Sequence, residues 1–221
     1  MKNQQEERVK TTQPNQIFNE AVARILSKTD YFRVFVKRRM SCEKWLQAEI
    51  LHRFDELKIE GWPIESEAEK PYPTGKKGER CDVYFESGNC SYWVELESVI
   101  TNYCGKLGKP IKNQIDHILD DIKRLERVKT DRSKTYVLFV AYPFSADGSD
   151  DNTWRGKHLK RIPLSHSQFW EFNLENKMVG RIYLFQVRTI LIRLANSQHS
   201  RSQAASTSIP ARFRLFAIPE T

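Results

Sequence analysis

The chain has 221 residues, which suffices for one domain with a sizeable core or for one domain with an additional arm. Hydrophobic residues make up 39% and charged residues 29% of the sequence, so we expect a folded, soluble protein. No apolar run approaches the roughly 18 residues of a membrane helix, and the polar start of the chain does not resemble a signal peptide. These properties argue against a membrane protein and against a secreted one.

The cysteines form no CxxC pair and have no histidine at zinc-ligand spacing beside them: Cys42, Cys81, Cys90 and Cys104. The pattern therefore indicates neither a disulfide framework nor a zinc site. Free thiols are usual in a reducing compartment, so the sequence predicts a cytoplasmic protein.

The net charge of +8 is distributed unevenly along the chain. From residue 152 to the end there are 11 Lys and Arg against 3 Asp and Glu, so the first 151 residues, with 25 of each sign, are neutral. A basic C-terminal third beside a neutral body is typical of proteins with a polyanionic partner, although basic chains that bind none also exist. We therefore expect nucleic acid as the partner.

The first part of the chain predicts an arm followed by helices. Residues 1–15 are predicted as a mobile arm, residues 17–26 have helical apolar spacing, and residues 41–57 form the clearest early helix. The apolar stripe of that helix recurs at steps of three: Trp45, Ala48, Leu51, Phe54 and Leu57. We assign residues 1–40 to an N-terminal arm and helix, and residues 41–221 to a single domain.

The middle of the chain predicts alternating helices and strands. Proline and glycine punctuate residues 61–79, which we predict as a loop. Two strand-like runs flank Gly88-Asn89, and an amphipathic helix over residues 111–128 and an apolar strand over residues 135–144 follow. The element order indicates an α/β fold with a mixed central sheet flanked by helices.

The C-terminal third is a basic elaboration over residues 152–221. Residues 165–174 are predicted as a short helix, and residues 181–194 as a strand because they are rich in β-branched and aromatic side chains. A Ser- and Gln-rich loop over residues 196–208 and a last strand over residues 211–218 complete the chain.

The two runs around Gly88-Asn89 predict a hairpin whose register can be counted outward from the turn. One face is then apolar, with the pairs Val83–Val94, Phe85–Tyr92 and Cys81–Leu96. The other face has the pairs Tyr84–Trp93, Asp82–Glu95 and Arg80–Glu97. We expect the apolar face to lie against the core.

The facing carboxylates Asp82 and Glu95 are the informative pair of this hairpin. Like charges placed opposite each other repel, so such a pair requires a bound cation, a shared proton or full solvation. Mg²⁺ usually takes one or two carboxylates together with water and substrate phosphate, and this pair meets that requirement. A solvated acidic patch is the alternative, but Tyr84 and Trp93 on the same face indicate that something covers it or packs there.

The sequence resembles the PD-(D/E)XK nucleases, which include many restriction endonucleases and defence nucleases. The resemblance lies in Glu49 and in the runs 80–85 and 92–97, and it covers the middle of the chain. It implies a restriction-endonuclease-like α-β-β-β-α-β core over residues 41–144.

The resemblance also implies roles for individual residues. Asp82 and Glu95 would be metal ligands, joined by the carbonyl of Leu96, and Glu49 would be the helix acid that holds a metal-bound water. The implied cofactor is Mg²⁺ or Mn²⁺, and the implied reaction is attack of water on a phosphodiester.

The motif departs from the family pattern because Glu97 stands where lysine is expected. Alternation puts Glu97 on the same face as Glu95, so it would act either as the base or as a ligand of a second metal ion. A cross-strand ion pair with Arg80 is the structural alternative. Some family members supply the lysine from the following helix, and the candidates for that catalytic role here are Lys109, Lys112 and Gln114.

Four basic residues close to Trp154 and His158 are candidates for contacts with the DNA backbone: Arg155, Lys157, Lys160 and Arg161. Arg80, Lys109 and Gln114 are further candidates for binding nucleic acid near the hairpin. A solvated loop is the alternative for the first group. The lone helical histidines, His52 and His117, are more often structural than catalytic.

The sequence thus predicts a metal-dependent endonuclease that hydrolyses duplex DNA, in restriction or phage defence. One alternative is an inactive nuclease fold that binds nucleic acid or a partner protein, and another is an interaction subunit whose basic third binds an acidic protein. Family members that cut both strands often dimerise, so a homodimer or a subunit of a larger complex is expected by analogy.

Overall fold

The structure, a computed structural model, describes residues 14–73, 76–104, 110–128, 132–163 and 167–187. They lie in the unit Met1–Ile190, and residues 191–221 are outside the described residues. The described elements follow in this order: α1 (Pro14–Leu26), α2 (Asp30–Arg38), α3 (Glu43–Ile59), β1 (Ile64–Ala68), β2 (Val83–Ser87), β3 (Cys90–Ile100), α4 (Ile111–Leu125), β4 (Ser133–Ser145), α5 (Asp151–Thr153) continued by a π-helical turn (Trp154–His158) and a 3₁₀ turn (Leu159–Arg161), β5 (Gln168–Leu174) and β6 (Met178–Val187).

The strands form one mixed sheet in the order β1-β2-β3-β4-β6-β5. Strands β3 and β4 are parallel and are joined through α4, whereas the other neighbouring pairs are antiparallel. A parallel pair needs a crossover connection, and α4 accordingly packs against both β3 and β4. The predicted α/β architecture, a mixed sheet with flanking helices, is confirmed.

Helices cover both faces of the sheet. On one face Phe85 and Leu138 pack in a cluster with Ile17 of α1, Phe32 of α2 and residues of α3. On the other face Phe139 packs in a second cluster with the apolar side of α4. Strand β4 is therefore buried along nearly its whole length, as its continuous apolar run predicts. The helices before residue 40 belong to the same core as α3.

The hairpin of β2 and β3 has the predicted register. Its turn contains Gly88 at φ +61, a conformation that glycine adopts without a steric penalty. The strand pairing ends at Val83 and Val94, because the chain bends at Asp82. Strand β3 continues to Ile100, so its second half extends past the end of β2.

Three elements differ from the sequence-based prediction. Residues 61–79, predicted as a loop, contain the edge strand β1, and residues 165–174, predicted as a helix, contain the whole of strand β5. Helix α2 was not predicted. In β1 the one buried side chain is Ile64, so this strand owes its conformation to pairing with β2 and not to an apolar pattern.

The buried face of α3 follows the helical period more closely than the predicted stripe does. The prediction placed Ala48 on the core, but Ala48 is exposed. A step of three residues drifts away from a helix that has about 3.6 residues per turn. The side chains that α3 buries are Leu46, Gln47, Ile50, Phe54 and Leu57.

Some predictions concern residues that the structure does not describe: the arm over residues 1–13, the loop residues 105–109, and the loop and strand predicted between residues 196 and 218. The four cysteines are free thiols, as predicted. Among the described helices, none combines the length and the apolar character that crossing a membrane requires.

Candidate active site

Residues 95–100 of β3, which we name the free edge, run beyond the end of β2, and side chains take the place of a neighbouring strand there. A buried N–H group left without an acceptor costs about 1–3 kcal/mol, so the acceptors on this edge contribute to stability. Every second N–H group of the free edge donates to a side-chain oxygen: Leu96 to Asp82 Oδ2 (2.8 Å), Ser98 to Glu43 Oε1 (3.2 Å) and Ile100 to Gln114 Oε1 (2.7 Å).

Asp82 lies at the bend before β2, and α3 holds its backbone in place. Gln47 Nε2 donates to the Asp82 carbonyl (2.6 Å), while the Asp82 carboxylate accepts the Leu96 N–H. Burial raises the pKa of the Asp82 carboxyl. This carboxyl also interacts electrostatically with that of Glu95.

Glu95 is almost completely buried, with 3% of its surface exposed. Tyr72 Oη donates to Glu95 Oε1, and Arg124 Nε lies 3.4 Å from the same oxygen. Burial, followed by the negative charge of Asp82, raises the pKa of Glu95 from its ordinary 4.5 to about 8. Burial beside a second carboxyl group therefore favours the protonated form of Glu95.

Glu97 lies further along the free edge and lines a cavity of about 250 Å³. Burial, followed by the negative charges of Glu43 and Asp82, raises the pKa of Glu97 well above the usual range of a glutamate. Alternation along β3 puts Glu95 and Glu97 on the same face of the strand. The residues that line the cavity are Arg39, Ser41, Glu43, Glu97, Ser98, Ile100, Gln114 and His117.

The helix acid beside the free edge is Glu43, and the expectation for Glu49 is corrected. Glu43 is the first residue of α3, and its Oε1 also accepts from the Ser98 hydroxyl (2.9 Å). Glu49 instead accepts from Arg24 Nε (3.1 Å) and Lys28 Nζ (2.8 Å), on the side of α3 that packs against α1. Six residues correspond to a rotation of about 240° beyond a full turn, so the two acids leave α3 on different sides.

The candidates for a displaced lysine have other positions. Gln114 is buried and hydrogen-bonds to the backbone of β3, because its Nε2 donates to the Ile100 carbonyl (3.0 Å). Lys112 is exposed in the first turn of α4, and Lys109 lies outside the described residues. The cation that the structure places beside Glu95 is Arg124, in the last turn of α4.

Arg80 does not form the cross-strand ion pair that was the structural alternative for Glu97. Its Nη1 donates to the carbonyl of Glu69 (2.9 Å). The reason is the length of β2, which begins at Val83, so that regular pairing ends before it reaches Arg80. Glu97 is consequently not paired with Arg80, and its side chain lines the cavity.

The basic segment after residue 150 is helical, whereas the sequence predicted a loop. Trp154 is completely buried and donates through Nε1 to Tyr183 Oη (2.9 Å), so its ring cannot stack on a base. Arg161 forms an ion pair with Asp116 of α4 and thereby joins this segment to the rest of the fold. The other basic side chains of the segment are exposed: Arg155, Lys157 and Lys160.

Two further findings limit the choice of site. A larger cavity, of about 460 Å³, lies between α2 and the turn from β5 to β6, but its acidic residue, Glu175, is paired with Arg33 (2.9 Å). Across the described residues, no three His, Cys, Asp or Glu side chains converge as a ready-made metal-binding group. The acids of the free edge are held by protein donors instead, among them Tyr72 and Arg124.

Tyr72, Gln47 and Arg124 were not predicted as site residues. Each reaches the free edge from an element distant in sequence, and no local pattern marks such residues. Glu43 is an acid in the first turn of a predicted helix, which is a weak signal. Together with the correct assignment of the buried face of that helix, this signal would have favoured Glu43 over Glu49.

Comparisons with protein-family models, with curated proteins and with solved structures found no significant match to this chain. The chemistry of the free edge therefore has to be deduced from its own residues.

Proposed function

We propose that this protein is a metal-dependent nuclease that hydrolyses phosphodiester bonds of DNA. The observation that carries the proposal is the electrostatic interaction between the carboxyl groups of Asp82 and Glu95, together with Glu97 further along the same strand and Glu43, which line one cavity. Buried carboxyl groups with raised pKa values in a cavity are characteristic of functional sites.

The order of elements supports the proposal. From α3 to β4 it is helix, three strands, helix and strand, with β3 and β4 parallel. This is the α-β-β-β-α-β order of the PD-(D/E)XK nucleases that the sequence resembles. Asp82 directly before β2 and Glu95 on β3 occupy the places that the resemblance implies for the two metal-binding acids.

A hard divalent cation such as Mg²⁺ or Mn²⁺ fits the donors of the free edge. Asp82 and Glu95 would hold it through carboxylate oxygens, and the Leu96 carbonyl faces the same edge as the Leu96 N–H that donates to Asp82. Burial beside another negative charge is what raises the pKa of Glu95, and a cation would relieve that cost. When bound, such an ion neutralises phosphate charge and lowers the pKa of a coordinated water.

Glu97 is the proposed base. Burial and neighbouring negative charge raise its pKa, which makes its carboxylate a better proton acceptor than an ordinary glutamate. Glu97 must be ionised to accept a proton, so the rate should rise with pH as Glu97 loses its own proton. Glu43 is the proposed helix acid, and Arg124 and Tyr72 would hold Glu95 in position.

The exposed basic side chains of the helical segment are proposed to contact the DNA backbone: Arg155, Lys157 and Lys160. Contacts of this kind weaken as the salt concentration rises, because they release counterions from DNA. Arg161 is engaged with Asp116 and has a smaller part in this proposal.

Nicking of supercoiled plasmid in Mg²⁺ or Mn²⁺ tests the proposed function. We expect the wild type to nick the plasmid and Asp82→Asn to lower the rate by at least about 100-fold, because this change removes a metal-binding charge and preserves the side chain's shape. Asp55→Asn, the same substitution at an exposed position of α3, should leave the rate unchanged. Equal rates in wild type and Asp82→Asn would refute the assignment of the site.

A second candidate function is a nuclease fold that binds DNA without cutting it. It is favoured by Glu97 in the position of the expected lysine, and by the engagement of Glu95 with Tyr72 and Arg124. Salt-dependent retention of DNA by a wild type that leaves the plasmid intact would support this second candidate.

A further inference from the structure

Arg39 lines the same cavity as Glu97 and directly follows α2. Its side chain is exposed, and in the part of the chain that the structure describes its guanidinium has no carboxylate partner. Two other arginines of these helices are paired, Arg24 with Glu49 and Arg33 with Glu175, and Arg38 does not line the cavity. An unpaired guanidinium at the rim of an acidic cavity is available to an anionic ligand.

The backbone at Arg39 gives a second reason to ascribe a role to its side chain. Arg39 ends α2 in the left-handed conformation, at φ 54 and ψ 47, and its N–H group donates to carbonyls of the last helical turn. Glycine is the usual residue at this position of a helix, because a side chain in the left-handed conformation is strained. Strain of this kind clusters at functional sites, although Glu69, Asn176 and Lys177 also have positive φ in this chain.

We propose that Arg39 binds a backbone phosphate of DNA beside the acidic site, an inference that rests on the proposed nuclease function. A guanidinium presents a planar fork of donors that matches two phosphate oxygens. His117 of α4 lines the same cavity and would offer a further hydrogen bond to that phosphate. The cavity thus combines the carboxylates of Glu43 and Glu97 with a cationic side chain suited to a phosphate.

The test compares substitutions that separate binding from folding. Arg39→Gly removes the guanidinium and relieves the backbone strain, so we expect a variant that melts a few degrees higher and binds a short fluorescein-labelled DNA duplex roughly tenfold more weakly. The slope of log affinity against log salt should become shallower by about one. Arg39→Lys should recover part of the affinity, because it retains the charge and loses the fork.

The matched control is Arg38→Ala, which removes one positive charge from an exposed neighbour that does not line the cavity. It should change the affinity by less than about twofold. Binding is measured by fluorescence anisotropy in EDTA, so that no divalent ion permits cleavage. Unchanged affinity in Arg39→Gly, or an equal loss in Arg38→Ala, would overturn the inference, and so would a wild type that fails to retain the duplex at low salt.

Failure of the proposed nuclease function would look different. The wild type would then leave plasmid intact in Mg²⁺ and Mn²⁺, yet Arg39→Gly would still bind the duplex less tightly than the wild type in EDTA. Cleavage by the wild type together with normal binding by Arg39→Gly would show the reverse, a nuclease that does not use Arg39.

Discussion

The two halves of β3 obtain their hydrogen bonds in different ways. The first half, up to Val94, pairs with β2 and has a register that follows from the turn. The second half, the free edge, is paired with β4 on one side only, and its other side receives oxygens from Asp82, Glu43 and Gln114. A strand neighbour in one half is thus replaced by side chains in the other.

This difference explains why acids gather where they do. Carboxylates that accept N–H groups of a strand are fixed in position by the backbone, so several of them can stand near one another in a buried place. Burial, and then mutual repulsion, raise the pKa of Glu95 and of Glu97. The paired half has a strand neighbour on each side, and the free edge has acids held close together.

The largest effect is expected from breaking the paired half. Phe85 is completely buried and stacks on Tyr92 across the hairpin, with ring centroids 4.4 Å apart. Phe85→Ala should lower the free energy of unfolding by about 4 kcal/mol, measured by urea denaturation, because it leaves a cavity in the core. Phe169→Ala, at a half-exposed position of β5, should cost about 1 kcal/mol or less. Similar losses in both variants would contradict the view that the paired half anchors the sheet.

A smaller effect on the free energy of unfolding, with a distinct pH dependence, is expected when the Glu95 carboxyl group of the free edge is replaced by an amide. The pKa of Glu95 is raised to about 8, so between its ordinary 4.5 and 8 the folded protein binds more protons than the unfolded chain. Its contribution to stability is therefore fully present at acidic pH and is lost as pH rises through 8. Glu95→Gln keeps the acceptor for Tyr72 and cannot ionise, so its stability should not show this decline.

The measurement is urea denaturation in EDTA at about pH 5 and about pH 9. Over that range the wild type should lose on the order of 2 kcal/mol more than Glu95→Gln. Glu65→Gln, the same substitution at an exposed position of β1, should follow the wild type. Parallel curves for wild type and Glu95→Gln would show that the fold does not raise the pKa of Glu95.

Sequence alone predicted the paired half well and the free edge only in part. The turn at Gly88 and the alternation around it are local, so the register of β2 and β3, and with it the opposition of Asp82 and Glu95, could be counted. The choice between Glu43 and Glu49 depends on how α3 is rotated against the sheet, which packing between distant elements decides.

Packing between elements distant in sequence also accounts for the strands and the site residue that the sequence does not predict. Strand β1 has one buried side chain and no alternating apolar pattern, so only its partner β2 makes it a strand. Strand β5 lies in a short aromatic run that the sequence-based prediction assigns to a helix. Its hydrogen-bonded pairing with β6 makes this run a strand. Arg124 reaches Glu95 from the last turn of α4, a contact between positions far apart in the sequence.

The smallest expected effect concerns the end of the free edge, where Gln114 takes the place of a strand neighbour. Its amide accepts from the Ile100 N–H and donates to the Ile100 carbonyl (2.7 and 3.0 Å), as a paired strand residue would. Gln114→Leu fills a similar volume and offers neither bond, so we expect a loss of about 1.5 kcal/mol in the free energy of unfolding.

Hydrogen exchange locates this loss. The Ile100 amide should exchange faster in Gln114→Leu, whereas the amides of β3 that pair with β2 should keep their protection, because their acceptors are unchanged. Gln16→Leu, the same substitution at an exposed position of α1, should alter neither quantity appreciably. Should Ile100 remain protected in Gln114→Leu, another group must satisfy its N–H, and the free edge would then depend on side chains less than its hydrogen bonds indicate.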